Sequence, residues 1–446
     1  MKSIMITAPS SGSGKTLVTM GIIRALKKRG YNISAFKTGP DYIDTAFLAA
    51  ASSDNSYETL DNHRKAGNLD IHLQGEEGIL QSLSLAEGEY SVIEGAMGYF
   101  DGIYNTYINS SYDISRKLKV NSVLVYTPKG EMFSAVPKIK GMAEFEDSTL
   151  KAVILNKVTQ QYYELLKEQI EKHTELKVLG YIPKIEEFEI KSRHLGLIQS
   201  REINELENII EKAAEYINQN IDMDLLIELM SDIHQYKELN YKRRNITVAI
   251  ALDKAFSFYY RETLQLFDKT CNVVYFSPLK DKVLPKCDFL YLGGGYPEVY
   301  KDELSNNISM RESIKNYIED GGCVYAECGG FMYLTKYIED KEMVGIFQAK
   351  SSMTSRLQRF GYIDITLDSD CILGNKGDKL TAHEFHKSIT EINEEGIYKV
   401  QKAMGQQQWS CGYLYKNVLA GYPHINFLGN LKSFEHLINY VEGRIK

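Results

Sequence analysis

Residues Ile6–Thr16 read ITAPSSGSGKT, and the run sits between a short apolar segment and an amphipathic one. Ahead of the loop, Ser3–Ala8 (SIMITA) has the content of a strand. Beyond it, Val18, Ile22 and Leu26 recur every fourth residue from Lys15 to Arg29, which predicts a helix, and Gly30 supplies the stop. Strand, glycine-rich turn and helix, in that order, are the setting in which G-K-T binds phosphate. Gly12 and Gly14, with Ser13 between them, let the backbone fold closely enough for its N–H groups to surround phosphate oxygens at the helix N-terminus. Lys15 is placed for the β- and γ-phosphates and Thr16 for a magnesium ion. Pro9 stands where the first glycine of G-x-x-x-x-G-K-T usually does. A glycine-rich turn arising by chance is the competing reading, and the flanking strand and helix weigh against it.

Working outward, YNISAFK (31–37), YSVIEGA (90–96), NSVLVYT (121–127) and LKAVILNKV (150–158) supply four more strand candidates. Strands alternating with helices predict an α/β fold, a doubly wound parallel sheet. In such a sheet the carboxyl ends of the strands gather at one crevice. The segment FKTGPDYID after the second strand brings Lys37, Asp41 and Asp44 there, and VIEGAMGYFDG after the third brings Glu94 and Asp101. Carboxylates at that place can hold magnesium through oxygen, with Thr16, Asp44 and Glu94 as the expected ligands. Each acid alone reads as a solvated loop residue; two clusters at successive strand ends favour a site. Asn156, at a later strand end, offers an amide to an adenine edge.

From about Ser200 to Arg244 the texture changes to charged amphipathic helix, read as closing helices and a linker. The expected organisation is therefore a P-loop domain over 1–200, a helical segment over 201–244 and a second α/β domain over 245–446. In that last part NITVAIAL, CNVVYFS, DFLYLGGG and GCVYAE give a fresh strand pattern. Cys328 follows the last of these strands, with Glu327 before it and Gly329–Gly330 after. A strand–turn–helix corner exposes sulfur at the sheet's edge and places it near a helix N-terminus, which favours thiolate. The glycines leave room for a carbonyl and free a backbone N–H for an oxyanion. The corner YLGGGYPE (291–298) offers a second donor from Gly293, Gly294 or Gly295. Cys323, inside the strand, reads as core.

A thiol nucleophile needs a base. His383, His386, His424 and His436 are available, and each alone reads most simply as a structural histidine. His424 stands out by context, because it ends a run of turn residues before the C-terminal helix. His383 and His386 flank Glu384 at a metal-like spacing, but no third ligand is in view and zinc is the weaker reading.

Composition narrows the classes. The chain has 446 residues, 43% apolar and 25% charged, with a net charge of −7. Interspersed charge argues against nucleic-acid binding, and no apolar run is long enough to span a bilayer. A cytoplasmic protein is the expectation. The six cysteines form no C-x-x-C pair and read as free thiols.

With these residues in view the chain resembles the cobyrinate a,c-diamide synthase family, whose first half is similar to dethiobiotin synthetase and whose second half is similar to class I glutamine amidotransferases. SGSGKT, FKTGPDYID, IEGAMGYFDG, VILNKV, LGYIP, RHLGL, AFSFYY, FSPLKDKVLP, YLGGGYPE, AECGGFMYL, GYIDI, HEFHKS and GYPHINF carry the resemblance in order along the chain. It implies a carbon–nitrogen ligase that takes its amido nitrogen from L-glutamine, uses ATP and Mg²⁺, and amidates a tetrapyrrole polycarboxylate such as cobyrinate. Cys328 would be the nucleophile and His424 its base, with Gly294, Gly295 and Gly329 at the glutamine and oxyanion site. Gly12, Ser13, Gly14, Lys15, Thr16 and Asn156 would bind ATP; Lys37, Asp41, Tyr42, Asp44, Glu94 and Asp101 would line the ATP and substrate carboxylate site. The class often carries an acid two residues after the histidine; here that position is Asn426, which leaves the third triad member open. The implied chemistry calls for two active sites that face each other and are shielded from water. Nickel-sirohydrochlorin is the alternative substrate, a P-loop switch ATPase and a thiol hydrolase are the alternative classes, and the oligomeric state is open.

Overall fold

The computed structural model describes residues 1–53, 65–184, 200–233 and 241–445, with side chains of the helix that begins at Ser200 described from Leu206 onward. The RHLGL segment at 193–197 lies outside the described residues. Contacts divide the chain into two units, Met1–Ile71 with Gly75–Leu239 and Asn240–Lys446 with His72–Gln74. Among the described residues no helix is long and apolar enough to cross a membrane.

The first unit opens with β1 (Lys2–Thr7), α1 (Lys15–Lys28), β2 (Ile33–Thr38), α2 (Tyr42–Ser52) and β3 (Ala66–Leu69). Next is α3 (Ile71–Ser84), broken at Gly75 by a non-helical φ of 71° and ψ of 173° and belonging to this unit from Gly75 onward; β4 (Tyr90–Glu94), α4 (Ser111–Leu118), β5 (Ser122–Tyr126), α5 (Ala135–Glu144) and β6 (Leu150–Asn156) follow. Then come α6 (Gln160–His173), β7 (Lys177–Ile182), α7 (Ser200–Asn220), α8 (Met223–Glu228) and β8 (Ser231–Asp232). Seven strands run parallel in the order β3-β2-β4-β1-β5-β6-β7, and β8 pairs antiparallel with β1. The strands read as unbroken apolar runs because both faces of the sheet are covered. Ile4 and Ile6 pack with Ile22, Leu26, Ile210 and Ile217 on one side, while Met5 packs with Phe36, Ile93 and Ile114 on the other.

Helix α1 ends where its periodicity predicts, with Gly30 at φ 88°. The strand carrying Glu94, expected as the third, is the fourth. The four residues AGNL of β3 form an edge strand with no β-branched or aromatic side chain to announce it. Helix α7 packs on α1 within this unit. Gly21 lies against Ala213 and Ile217, and buried Arg24 donates to Glu207, Glu211 and the carbonyls of Ala50 and Ala51.

The second unit begins with β9 (Thr247–Ala251), β10 (Phe256–Phe258), α9 (Arg261–Thr270), β11 (Asn272–Phe276), β12 (Phe289–Leu292) and β13 (Gly294–Gly295). Next are α10 (Lys301–Asn306), α11 (Ile308–Glu319), β14 (Cys323–Glu327), α12 (Gly329–Leu334), β15 (Thr335–Ile338), β16 (Lys341–Glu342) and β17 (Phe347–Met353). The remainder is β18 (Arg359–Leu367), β19 (Lys379–His386), β20 (Ser388–Glu391), β21 (Tyr398–Lys402), β22 (Gln408–Cys411), β23 (Tyr413–Tyr415), β24 (Val418–Gly421) and α13 (Leu431–Glu442).

Its main sheet has the order β11-β9-β12-β14-β24-β23, parallel except for β23. The strands β9, β11, β12 and β14 are the four expected from sequence. Two further four-stranded sheets, β16-β15-β17-β20 and β19-β18-β21-β22, were not expected. Strand β18 alternates buried Ile363, Ile365 and Leu367 with half-buried or exposed neighbours, the pattern of an antiparallel sheet covered on one side. Parallel pairing of β14 with β24 sets Glu327 opposite Gly421, and β12 with β14 sets Leu292 opposite Ala326. The turns after β12, β14 and β24 therefore leave one edge of the sheet together.

Candidate functional site

The first candidate site forms where the phosphate loop meets the ends of β2, β4 and β6. Gly12 and Gly14 have φ of 74° and 83°, in the left-handed region that glycine tolerates best. A Cβ at Gly12 would meet nothing, so that side of the turn is open; a Cβ at Gly14 would collide with the Asn156 amide. Asn156 donates Nδ2 to Ser13 O at 2.9 Å, and Thr127 donates to the same carbonyl at 3.0 Å. One N–H of the Asn156 amide is thus engaged in bracing the loop, and the amide keeps a second N–H and its oxygen. Gly14→Ala should combine left-handed strain of about 1–2 kcal/mol with loss of that brace. It is expected to weaken binding of a non-hydrolysable ATP analogue, read by calorimetry, by at least about tenfold.

Lys15 is buried and donates Nζ to Met97 O at 2.5 Å and to Ser10 O at 3.3 Å. Burial, reinforced by the neighbouring Lys37 charge, lowers its pKa to about 8. Lys37 is also buried, with Nζ 2.7 Å from Glu94 Oε1 and 2.6 Å from Asp44 Oδ2. Burial opposes the Lys37 charge, but the carboxylates of Glu94 and Asp44 more than compensate and raise its pKa. Thr16 donates to Glu94 Oε1 at 2.7 Å, so Thr16, Glu94, Lys37 and Asp44 form one connected group. Burial raises the Glu94 carboxyl against the pull of Lys37, and burial likewise raises Asp41.

Asp41 caps α2, accepting from the N–H groups of Ile43 and Asp44 at 2.9 Å, and Tyr42 opens the helix behind it. Asp101 accepts from Gly98 N at 2.9 Å and closes the turn that presents Met97 O to Lys15. Among the described residues no group of three or more His, Cys, Asp or Glu side chains is placed to hold a metal. A magnesium ion would then depend on phosphate oxygens together with Thr16 and the acids. Glu94 Oε2, buried and without a hydrogen-bond partner among the described residues, is an oxygen that fits such an ion.

The second candidate site surrounds Cys328. The residue sits between β14 and α12 with φ 47° and ψ −103°. All six cysteines are free, and among them Cys328 alone has a positive φ. Strained backbone of this kind persists where surrounding structure enforces it. Here Cys328 N donates to Gly421 O at 2.7 Å and Gly330 N donates to Gly293 O at 3.0 Å. A Cβ at Gly330 would strike Leu292 O, and one at Gly329 would come within 3.0 Å of Gly295 N. The Gly295 and Gly329 backbones thus converge beside the sulfur. Tyr259 accepts from Gly293 N at 2.8 Å and donates to Ala251 O, which fixes the glycine corner.

His424 reaches the same edge three residues after β24, and its ring lies so close to Gly294 that a Cβ there would approach Cε1 to 2.5 Å. Burial, then the charge of Glu298, pushes the Cys328 thiol up; burial, then His386, lowers His424 to about 3. At rest, therefore, burial favours a neutral thiol at Cys328 and a neutral imidazole at His424. Burial pushes the other cysteines up as well, so titration does not single Cys328 out; the backbone does.

His383 stacks on His424 with ring centroids 4.9 Å apart, and Tyr260 Oη lies 2.9 Å from its Nδ1. His386 stacks on Tyr422 at 3.8 Å, and His436 Nε2 lies 3.1 Å from Cys371 O. Two acids went unassigned in the sequence. Glu327 is buried with Oε2 3.8 Å from His424 Nδ1, and burial raises the Glu298 carboxyl to about 7. Adjacency to Cys328 in the chain was the signal for the first.

Comparison with known proteins bears on both halves. Residues 4–198 match the CobQ/CobB/MinD/ParA nucleotide binding domain, and residues 247–431 match the CobB/CobQ-like glutamine amidotransferase domain. The cobyrinate a,c-diamide synthase of Clostridium acetobutylicum is 45% identical, covering 98% of this chain and 100% of the relative. That of Clostridium tetani is 43% identical over 98% and 100%, and that of Listeria monocytogenes is 38% identical over 99% and 100%. With a nucleotide-binding unit, a glutamine amidotransferase unit and full-length relatives of one name, this chain belongs to the cobyrinate a,c-diamide synthase family.

Proposed function

We infer that the protein catalyses ATP-dependent amidation of the a and c carboxylates of cobyrinate, with glutamine as nitrogen donor. The observation that carries this reading is full-length similarity to the family in a chain that keeps both a braced phosphate loop and a strained cysteine corner.

A carboxylate is a poor electrophile, and ammonia at neutral pH is mostly protonated. The two units divide those problems. In the first, the loop N–H groups and Lys15 hold the ATP phosphates while the γ-phosphoryl group passes to a substrate carboxylate. Thr16, Glu94 and Asp44 would hold Mg²⁺, which supplies charge neutralisation in that transfer. Lys37 keeps the Glu94 and Asp44 carboxylates from repelling the incoming anions.

In the second unit, His424 takes the Cys328 proton as sulfur adds to the glutamine amide carbon, and the N–H groups of Gly295 and Gly329 stabilise the oxyanion. Ammonia leaves, water cleaves the thioester to glutamate, and ammonia displaces phosphate from the activated carboxylate.

Incubation with ATP, glutamine and cobyrinate should lower the substrate mass by about one dalton per amidation, twice, as OH becomes NH₂. Mass spectrometry reads this directly, with nickel-sirohydrochlorin run in parallel. Unchanged cobyrinate beside amidated nickel-sirohydrochlorin would overturn the assignment of substrate.

A further inference from the structure

The geometry points to Glu327 as the residue that positions His424 and balances its charge during glutamine cleavage, in place of the acid absent at position 426. This rests on the thiol chemistry proposed above. Asn426 is fully buried, and its Oδ1 accepts from Leu428 N at 3.0 Å, so its amide shapes the turn and brings no charge to the histidine. The neighbouring strand supplies what is missing. Glu327 ends β14 at 1% exposure, with Oε1 accepting from Ile425 N at 3.0 Å and Oε2 accepting from the Tyr291 hydroxyl at 2.9 Å. The same Oε2 stands 3.8 Å from His424 Nδ1. The carboxylate is thereby tethered to the backbone of the residue after the histidine and faces the ring nitrogen that leaves Nε2 for the thiol.

This charge matters at two proton transfers. The Cys328 proton moves to His424 Nε2 as the S–C bond forms, and the same proton goes to the departing nitrogen as the C–N bond breaks, releasing ammonia. Water then gives a proton to His424 while its oxygen attacks the thioester, and that proton returns to sulfur as glutamate leaves. In both steps the imidazolium exists in a buried place, where an uncompensated charge is costly. Of the groups around it, His383 stacks on its face and His386 adds repulsion. Glu327 brings negative charge, and is itself faced by Tyr259, Tyr291 on β12, Tyr325 on its own strand, the neighbouring Cys328 thiol and Tyr398 on β21. Burial raises the Glu327 carboxyl to about 7, so its ionisation falls inside the assay range. Glutaminase kcat/KM should then rise through an acidic limb near that pH.

The experiment is the pH profile of glutaminase kcat/KM for full-length enzyme and three variants. Glu327→Gln keeps the shape and the acceptor for Ile425 N but removes the charge; it is expected to lower kcat/KM by about 10²- to 10⁴-fold and to erase the limb. Tyr291→Phe removes a donor that favours the ionised carboxylate, so the limb should move to higher pH by about half a unit or more. Glu298→Gln tests the other carboxyl raised to about 7 and should leave the limb in place. A limb retained in Glu327→Gln, unmoved in Tyr291→Phe, or lost only in Glu298→Gln overturns the role of Glu327. Should Glu327→Gln fail to fold, the Tyr291→Phe shift decides alone. Wild-type enzyme with no glutaminase activity would instead sink the functional reading beneath it.

Discussion

Cys328→Ala is expected to abolish glutamine-driven amidation, by about 10³-fold or more, while amidation with high ammonium at alkaline pH persists. The division follows from where the sulfur sits. It is a group of the second unit, and the proposed activation of the carboxylate draws on Lys15, Thr16, Glu94 and Asp44 of the first. Exogenous ammonia supplies what the thiol would have released, so the only step removed is cleavage of the glutamine amide. The competing view is that Cys328 is a small core residue, 7% exposed and packed with Phe331 and Tyr422. Deleting one sulfur from such a core would cost only about 1 kcal/mol, which lowers a melting temperature and spares glutaminase turnover. Steady-state rates with glutamine and with ammonium chloride on the same preparation separate the two. Loss of both activities would sink the division of labour, and retention of both would return Cys328 to the core.

How far each site could be read from sequence depends on how local its chemistry is. Gly12 to Thr16 are consecutive, and the loop, its strand and its helix could be read together. Asp41, Asp44, Glu94 and Asp101 were legible as strand-end acids. Their connections were not, because Lys37 meets Glu94 across the register of β2 and β4. Asn156 was placed at a strand end correctly, yet its bond to Ser13 spans 143 residues and no spacing rule announces it. In the second unit the corner around Cys328 is visible because a strand leads into it and Gly329 and Gly330 follow it. The approach of His424 depends on β24 pairing with β14, Val324 beside Val418, and a pairing that distant leaves no local trace. The same holds for Glu327, whose adjacency to Cys328 was plain and whose partner was not. The two further four-stranded sheets, one of them mixed because β15 and β17 pair in parallel, are hard to read because five of their eight strands have five residues or fewer, and alternation over so short a run is a weak signal.

Lys15→Ala should remove ATP-dependent amidation with either nitrogen source, by about 10²- to 10³-fold or more, the scale for deleting one preorganised group at developing charge. Lys37 cannot stand in, because its ammonium is already engaged by Glu94 and Asp44 at 2.7 and 2.6 Å. The lowered pKa of Lys15, about 8, adds a signature of its own. Below that pH the ammonium is present before nucleotide arrives; above it the free enzyme holds neutral Lys15, and phosphate binding must draw a proton from solvent. Nucleotide affinity should therefore fall as pH rises past about 8, with proton uptake on binding growing over the same range. Calorimetry of ATP-analogue binding in buffers of different ionisation enthalpy measures that uptake, and Lys15→Ala should abolish it. Uptake that survives the substitution would place the titrating group elsewhere, and amidation that survives it, with ammonium supplied, would take Lys15 out of phosphoryl transfer.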